Sequence, residues 1–346
     1  MEESCVGSAF ARAAAACVAL LSTSVAAAGC APVRASGMLI TPAAAVQVVR
    51  HHWDVNRAAL KATSGPQARR LIEQVESGDA LKIDEESIAD EADTRAESQT
   101  AAPDIPDAQD VRAFVPRQSS YPAVFVSLRT QASTDRSGQA SGKSDRVLEL
   151  FRRDGAAAAW HNTAYAILAP ELVDQLRFAV DRAGYAQFAD GLPGGDQLSR
   201  LYSEYMTQAL AGHTPSGSRV TPGPLSDQLA TTLSRALALS PDVKRVLTFA
   251  PSPQQGGIKL RTADGGRFVL FEGMYDVLSR SASGGCITVT PKRGAESGPF
   301  TEVRDEFLQD IGALVAPGTD GAITIVAEFD GPVKRVSKPC AGGSTI

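Results

Sequence analysis

Twice along this chain a helical period of apolar residues gives way to short strand-like runs, and that repeated order limits the fold more than any single motif. Thr41-Pro42 opens the first helix, with threonine as N-cap and proline at the first helical position, where its missing N–H leaves no bond unmade. Val46, Val49, Trp53 and Leu60 recur at helical spacing, and Ser64-Gly65-Pro66 ends the pattern. A second helix follows through Leu71, Ile72 and Val75. Beyond the proline-marked turn at Pro103 to Pro106 the period changes. Val111 to Val115, Tyr121 to Thr130, Arg146 to Arg153 and Ala156 to Leu168 read as strands, with Arg153-Asp154-Gly155 as a hairpin turn and the Ser/Gly-rich stretch Gln131 to Ser144 as a polar hairpin tip.

The second half repeats this order. Asp196 caps a helix carrying Leu198, Leu201, Tyr202, Tyr205 and Leu210, and Pro224 starts another through Leu225, Leu229, Leu233 and Leu237. Strands are expected at Val243 to Phe249, Ile258 to Thr262, Arg267 to Val277, Cys286 to Thr290, Gly312 to Ala316 and Ala322 to Phe329, with an edge at Val333 to Lys338. Helices followed by antiparallel strands make an α+β chain rather than a βαβ one. The expectation is therefore two consecutive helix-then-sheet domains, 41–169 and 196–340, as curved-sheet cones of the cystatin-like or nuclear-transport-factor-like kind. Residues 170–195 serve as connector and 341–346 as tail, since Gly191 to Gly195 with Pro193 inside it breaks any regular element.

Ahead of these domains lies a leader. From Ala13 to Ala28 there is no charge, and the run is sixteen residues long, short of the roughly 20 that a membrane-spanning helix needs. It reads as a signal peptide over 1–29, followed by a tether over 30–40. Ala26-x-Ala28 suits simple secretion, whereas Ala28-Gly29-Cys30 matches a bacterial lipobox in which Cys30 becomes the lipidated first residue. Ala27 departs from the usual leucine, and Glu2 and Glu3 outweigh Arg12 in the leader. The chain carries five cysteines, of which Cys5, Cys17 and Cys30 lie in the leader or at its end. Cys286 and Cys340 remain; in an exported chain such a pair is expected to be bridged, the alternative being two buried thiols. The bridge would close a loop that stabilises by about 4 kcal/mol through chain entropy.

The strand, turn and strand at Ile258-Lys-Leu-Arg-Thr-Ala-Asp-Gly-Gly-Arg-Phe-Val-Leu, together with the leader ending in Gly29-Cys30 and the helix at Thr41, resembles a family of secreted actinomycete lipoproteins classed as a domain of unknown function. The likeness covers most of the chain after the leader, and its sharp motif is Leu260 to Gly266. The resemblance implies a Gram-positive, GC-rich source and a lipid anchor at Cys30. It supplies no activity, cofactor or catalytic residue.

A search for chemistry finds little. Gly138 to Ser144 is one residue short of a phosphate-binding P-loop and lies in a hairpin tip, where its amides cannot be aimed by a following helix. No Gly-x-Ser-x-Gly elbow is present. His51 and His52 point about 100° apart on the first helix and cannot chelate one metal as an i, i+4 pair would, so they read as core-edge or surface side chains. His161 beside Trp160 would be a general base only if a cone cavity gave it a carboxylate. Tyr202 and Tyr205 form a helix face suited to packing. Asp84 to Glu97 is a run of acids without the spacing of a calcium loop and reads as a solvated helix or loop. The net charge of −5 disfavours nucleic acid. No cofactor, metal or catalytic residue is assigned.

These readings point to a non-enzymatic binding or scaffold module held by a lipid on the outer face of the cytoplasmic membrane, with an envelope protein or small ligand as partner. The alternatives are a secreted form, a cavity-type enzyme acting on cell-envelope material, and a carrier of a hydrophobic ligand.

Overall fold

In a computed structural model, residues 38–98, 105–134, 140–191, 193–213, 217–238, 242–252, 257–288, 298–318 and 321–340 are described. The leader, Cys30 and most of the tether lie outside the described residues. Helix α1 spans Pro42–Leu60, and the Thr41 hydroxyl caps it by accepting from the Ala44 amide at 3.2 Å. Its buried stripe is Ala45, Val49, His52, Trp53, Asn56 and Ala59, so two polar residues occupy core-facing positions in mid-helix. Helix α2, Gly65–Ile72, and helix α3, Gly78–Ser98, pack against the C-terminal half of α1 around Ala59, Ala68, Ile72, Ile88 and Ala92. The segment between α2 and α3 docks on the sheet, with Asn162 N–H donating to the Val75 carbonyl at 2.8 Å and Ser77 N–H donating to the Asn162 carbonyl at 2.9 Å. Gly78, at φ +65°, makes the turn that starts α3 there.

Strands β1 (Gln109–Phe114), β2 (Ala123–Thr134), β3 (Ala140–Arg153) and β4 (His161–Leu168) follow. After a short 3₁₀ helix at Pro170–Gln175 come α4 (Gly195–Leu210) and α5 (Pro224–Ala238). The last strands are β5 (Val243–Pro251), β6 (Ile258–Arg261), β7 (Arg267–Ser281), β8 (Ile287–Thr288), β9 (Pro299–Val315) and β10 (Ile323–Pro339). The order of helices before antiparallel strands in each half is as expected.

The two halves do not, however, form two separate cones. All ten strands join one antiparallel sheet in the order β1-β2-β3-β4-β10-β9-β7-β5, with β6 on β7 and β8 on β9. The seam is β4 against β10, where Leu168 faces Ala327 and Ile167 faces Glu328. Residues 37–346 accordingly cluster as one compact unit. The connector 170–195 is a packing element rather than a hinge: Leu172, Leu176, Phe178 and Ala186 join one hydrophobic cluster with Leu128, Leu148 and Leu150 from the first half and Leu260, Phe268 and Leu270 from the second. Apolar contact across the halves is what keeps the boundary from opening.

Other details depart from expectation. Residues 131–134 and 140–144 extend β2 and β3, so the described part of the expected hairpin tip is strand; 135–139 lie outside the described residues. Strand β4 starts at His161, not Ala156, because Gly155–Ala158 closes a turn. Strand β9 is long and polar at one end, where Glu302 to Glu306 pair with β7 and β10 rather than forming a loop. Val336 to Lys338 continue β10 instead of making a new edge. Cys286 and Cys340 are joined in a disulfide across 54 residues.

Alternation along β2, β3 and β4 decides where the site lies. One face, with Val126, Leu128, Leu148, Leu150, Ala164 and Ala166, enters the core beneath the connector. The opposite face, towards α1 and α3, carries Ser127, Arg129, Glu149 and Tyr165. A register shift between Leu150, which pairs with Ala164, and Phe151, which pairs with Asn162, adds Asn162 to that polar face. Helix α3 lies close over β10, and a Cβ at Gly331 would collide with Ile83.

Candidate functional site

Between α1, α3 and the polar face of β2–β4 is a cavity of about 290 Å³. Its walls are apolar, from Leu60, Ile88, Ile105, Val147, Ile167 and Phe329, while its floor holds His52, Asn56, Glu76, Asp84, Arg129, Glu149, Asn162 and Tyr165. Trp53 lies along one side with the Arg129 guanidinium 4.2 Å from its ring centroid.

Two electrostatic regions share this floor. The first is an ion pair. Arg129 Nε donates to Glu149 Oε1 at 2.8 Å and its Nη1 to Gln131 Oε1 at 2.6 Å, while the Ser127 hydroxyl donates to Glu149 Oε2 at 2.6 Å. Burial alone would raise the Glu149 carboxyl, but the Arg129 charge, aided by His52 and the Ser127 bond, overcomes it and holds Glu149 below its ordinary value. Glu149 is thus the anion of the floor.

The second region holds protons. Burial pushes Glu76 up to about 8, with Glu149 adding to the rise against the Asn56 hydrogen bond. Asp84 is raised well above its ordinary value, first by burial and then by Glu76, although Tyr165 donates to its Oδ1 at 2.6 Å. Burial drives His52 down to about 4, more than the Glu149 charge restores. His52 Nε2 is 3.1 Å from Glu76 Oε1, which also accepts from Asn56 Nδ2 at 3.2 Å. Its Nδ1 lies 3.6 Å from Glu149 Oε1, an electrostatic contact beyond hydrogen-bond reach. With both groups neutral near pH 7, the assignment that suits these partners has Glu76 donating to Nε2 and the Nδ1–H facing the Glu149 anion. Among the described residues Glu76 Oε2 has no partner at hydrogen-bond distance, although the neighbouring Asp84 carboxyl interacts with Glu76.

The acids continue past the cavity beneath the helices. Tyr165 N–H donates to Asp310 Oδ2 at 2.9 Å, and Asp310 is raised well above its ordinary value, chiefly by burial. Glu272 reaches about 8 through burial and then the nearby Asp79 charge. Glu328, which accepts from Gln309 Nε2 at 2.7 Å, also reaches about 8, through burial and then Asp330. Among the described residues no three His, Cys, Asp or Glu side chains are grouped to hold a metal ion.

The residues singled out from sequence fare unevenly. His51 is exposed, while His52, expected at the core edge or surface, is 3 % exposed and central to the cavity. His161 is at the first position of β4 and does not line the cavity. Tyr202 and Tyr205 are buried in the core between α4 and the sheet. The acidic run lies on α3, but Asp84 is buried rather than solvated. Of the near-P-loop, 140–144 is strand, and its first residues fall outside the described ones. Arg129, Glu149 and Glu76 were missed. The signal for the first two was a lone charge inside each of two apolar strands, at Val126-Ser127-Leu128-Arg129 and Leu148-Glu149-Leu150.

Fold and site together define an α+β protein with a polar-floored, apolar-walled cavity. The chain belongs to the family described as Domain of unknown function (DUF8094), which matches residues 37–329. No curated protein and no solved structure matches it.

Proposed function

We propose that this chain is a non-enzymatic ligand-binding module of the cell envelope, tethered through a lipid on Cys30, whose cavity takes a small molecule with an ammonium head and a short apolar body. The observation that carries this reading is Glu76 on the cavity floor, buried, held protonated near pH 7, and with no hydrogen-bond partner for Oε2 among the described residues. An ammonium group entering there would replace the proton, regain an ion pair with the carboxylate, and lie near the Glu149 anion. The apolar walls suit the rest of such a ligand, and about 290 Å³ is at the small end of ligand pockets.

Trp53 reports on the cavity directly. In a Trp160→Phe background, hexylamine is expected to give a saturable Trp53 fluorescence change that strengthens roughly tenfold from pH 6.5 to 8, as the Glu76 proton ceases to compete. Hexanol should give little. A saturable response to hexanol alone would instead show a carrier of neutral hydrophobic ligands, and no response to either would overturn the binding reading.

The anchor rests on the Ala28-Gly29-Cys30 pattern and the resemblance to secreted actinomycete lipoproteins. Mass spectrometry of the mature N-terminus is expected to find diacylglyceryl-modified Cys30. An unmodified chain beginning at Gly29 would refute it.

A second reading has one observation in its favour. A carboxyl near 8 beside a neutral histidine has the proton affinity of a general acid–base pair. It predicts turnover of envelope material that Glu76→Gln abolishes, whereas the binding reading predicts none.

A further inference from the structure

On another part of the molecule, a second concavity of about 690 Å³ is formed where the connector, the β6–β7 turn and the loop after β9 meet. Arg219, Arg261 and Arg267 all line it, and among the described lining residues Asp190 supplies the one carboxylate. In a chain of net charge −5 this convergence of three guanidinium groups needs a physical reason. The turn is the segment Leu260 to Gly266 that stood out in the sequence, and the cavity described above makes no use of it.

The arginines are fixed, but not by carboxylates. Arg267 Nη1 donates to the Asp190 carbonyl at 3.3 Å and its Nη2 to the Gly318 carbonyl at 3.1 Å. Arg219 Nη2 donates to the Gly321 carbonyl at 3.1 Å, while its buried Nε has no partner among the described residues. Arg261 is exposed, and among the described residues its guanidinium has no partner. The acid of the turn, Asp264, keeps its charge but is held by the Thr262 hydroxyl at 2.5 Å and the Gly266 amide at 3.1 Å rather than paired with an arginine. Carbonyl contacts orient a guanidinium without neutralising it, so the positive charge is left facing the concavity. A Cβ at Gly266 would come within 2.8 Å of the Val315 carbonyl oxygen, so glycine lets the turn lie against the end of β9.

We propose that this concavity is an anion site for a phosphate group, with Arg219, Arg261 and Arg267 as its ligands. Among the described lining residues three arginines outnumber the Asp190 carboxylate, so the concavity favours an anion, and the planar fork of each guanidinium suits bidentate contact with phosphate oxygens. Such a group could belong to a soluble phosphorylated metabolite or to a phospholipid headgroup, and the chemistry at the site is the same. The site is separate from the ammonium-binding cavity, so failure of either reading leaves the other standing.

The test uses the full chain at constant ionic strength. Calorimetric titration with pyrophosphate is expected to show saturable binding that chloride does not mimic. Arg261→Gln, at an exposed side chain with no partner among the described residues, should weaken it at least tenfold without changing the melting temperature. Arg261→Lys should be intermediate, and Arg200→Gln, on exposed α4 surface, should leave it unchanged. Flotation with phosphatidylglycerol against phosphatidylcholine vesicles separates the sources, because a lipid anchor inserts into both equally. A phosphatidylglycerol preference that pyrophosphate abolishes and Arg261→Gln removes supports a headgroup; pyrophosphate binding without that preference supports a soluble ligand. No saturable pyrophosphate binding up to 10 mM, or binding unaffected by Arg261→Gln, overturns the proposal.

Discussion

Arg129→Met is expected to destabilise the protein by about 3–5 kcal/mol, the range for removing one partner of a buried ion pair. Arg129 and Glu149 side chains are 6 % and 0 % exposed, so only such water as the cavity itself holds could take over when the guanidinium is removed. Glu149 would keep the Ser127 hydrogen bond alone. Methionine retains much of the arginine stem's volume, which makes the loss electrostatic rather than a cavity effect. The defect should ease at low pH. Without Arg129, burial dominates and the folded-state Glu149 rises above its unfolded value; stability is then retained below the unfolded value and lost as pH rises through the new one. Urea denaturation at pH 5 and pH 8 measures both effects. The double variant Arg129→Met with Glu149→Leu should regain most of the loss, since replacing both charges removes the uncompensated one. A cost below about 1 kcal/mol at pH 8 for the single variant would mean that the pair is solvated and the floor is not as closed as its geometry indicates.

That pair also shows what was legible in the sequence and what was not. The helices could be read because capping and apolar spacing are local, as at Thr41-Pro42 and through Val46, Val49 and Trp53. Strands β2 to β4 and β7 could be read because Val, Phe and Leu dominate them. The single sheet could not, because its seam joins Leu168 to Ala327, and nothing within either strand specifies so distant a partner. Strand β9 was missed over its first three-quarters, before Gly312, for a different reason. Glu302, Arg304, Asp305, Glu306, Gln309 and Asp310 break the apolar pattern that marks a strand, yet they pair with β7 and β10, with ion pairs such as Arg335 Nε to Asp305 Oδ1 at 2.6 Å. The site was hidden in the same way. His52 and Asn56 continue the buried stripe of α1 at apolar positions, which periodicity alone treats as interruptions. Glu76 is between elements, and only its docking on Asn162 gives it a role. Polar residues at core positions mark a site when the partners that satisfy them come from remote strands, and spacing carries no information about those partners.

The same hidden acids should set the pH dependence of the whole fold, with stability falling as pH rises from 6.5 to 8. Glu76, Glu272 and Glu328 each reach about 8 in the folded protein. A carboxyl raised on folding does not oppose the folded state below its unfolded value near 4.5; above that the unfolded chain ionises while the folded one holds its proton, and the loss grows until the folded value is passed. His52 acts in the opposite direction, since its folded value of about 4 lies below the unfolded 6.5, so its stabilising contribution is lost only as pH falls below 6.5. Between 6.5 and 8 it is neutral in both states and therefore silent, leaving the carboxyls to decide the slope. Glu76 is nearly inaccessible and contributes fully, while Glu272 and Glu328 are half-buried and contribute less. Asp84 and Asp310, raised well above their ordinary values by burial, act in the same direction, so folding near pH 7 should take up at least two protons and lower the melting temperature by at least about 5 °C across the interval. Glu76→Gln is the control, because glutamine imitates the protonated acid. It should match the parent at pH 5, exceed it at pH 8, and flatten the profile by one proton. Stability that stays level or rises between pH 6.5 and 8 would show these carboxyls to be ionised in the folded state, and would remove with them the proton that a bound ammonium group is proposed to displace.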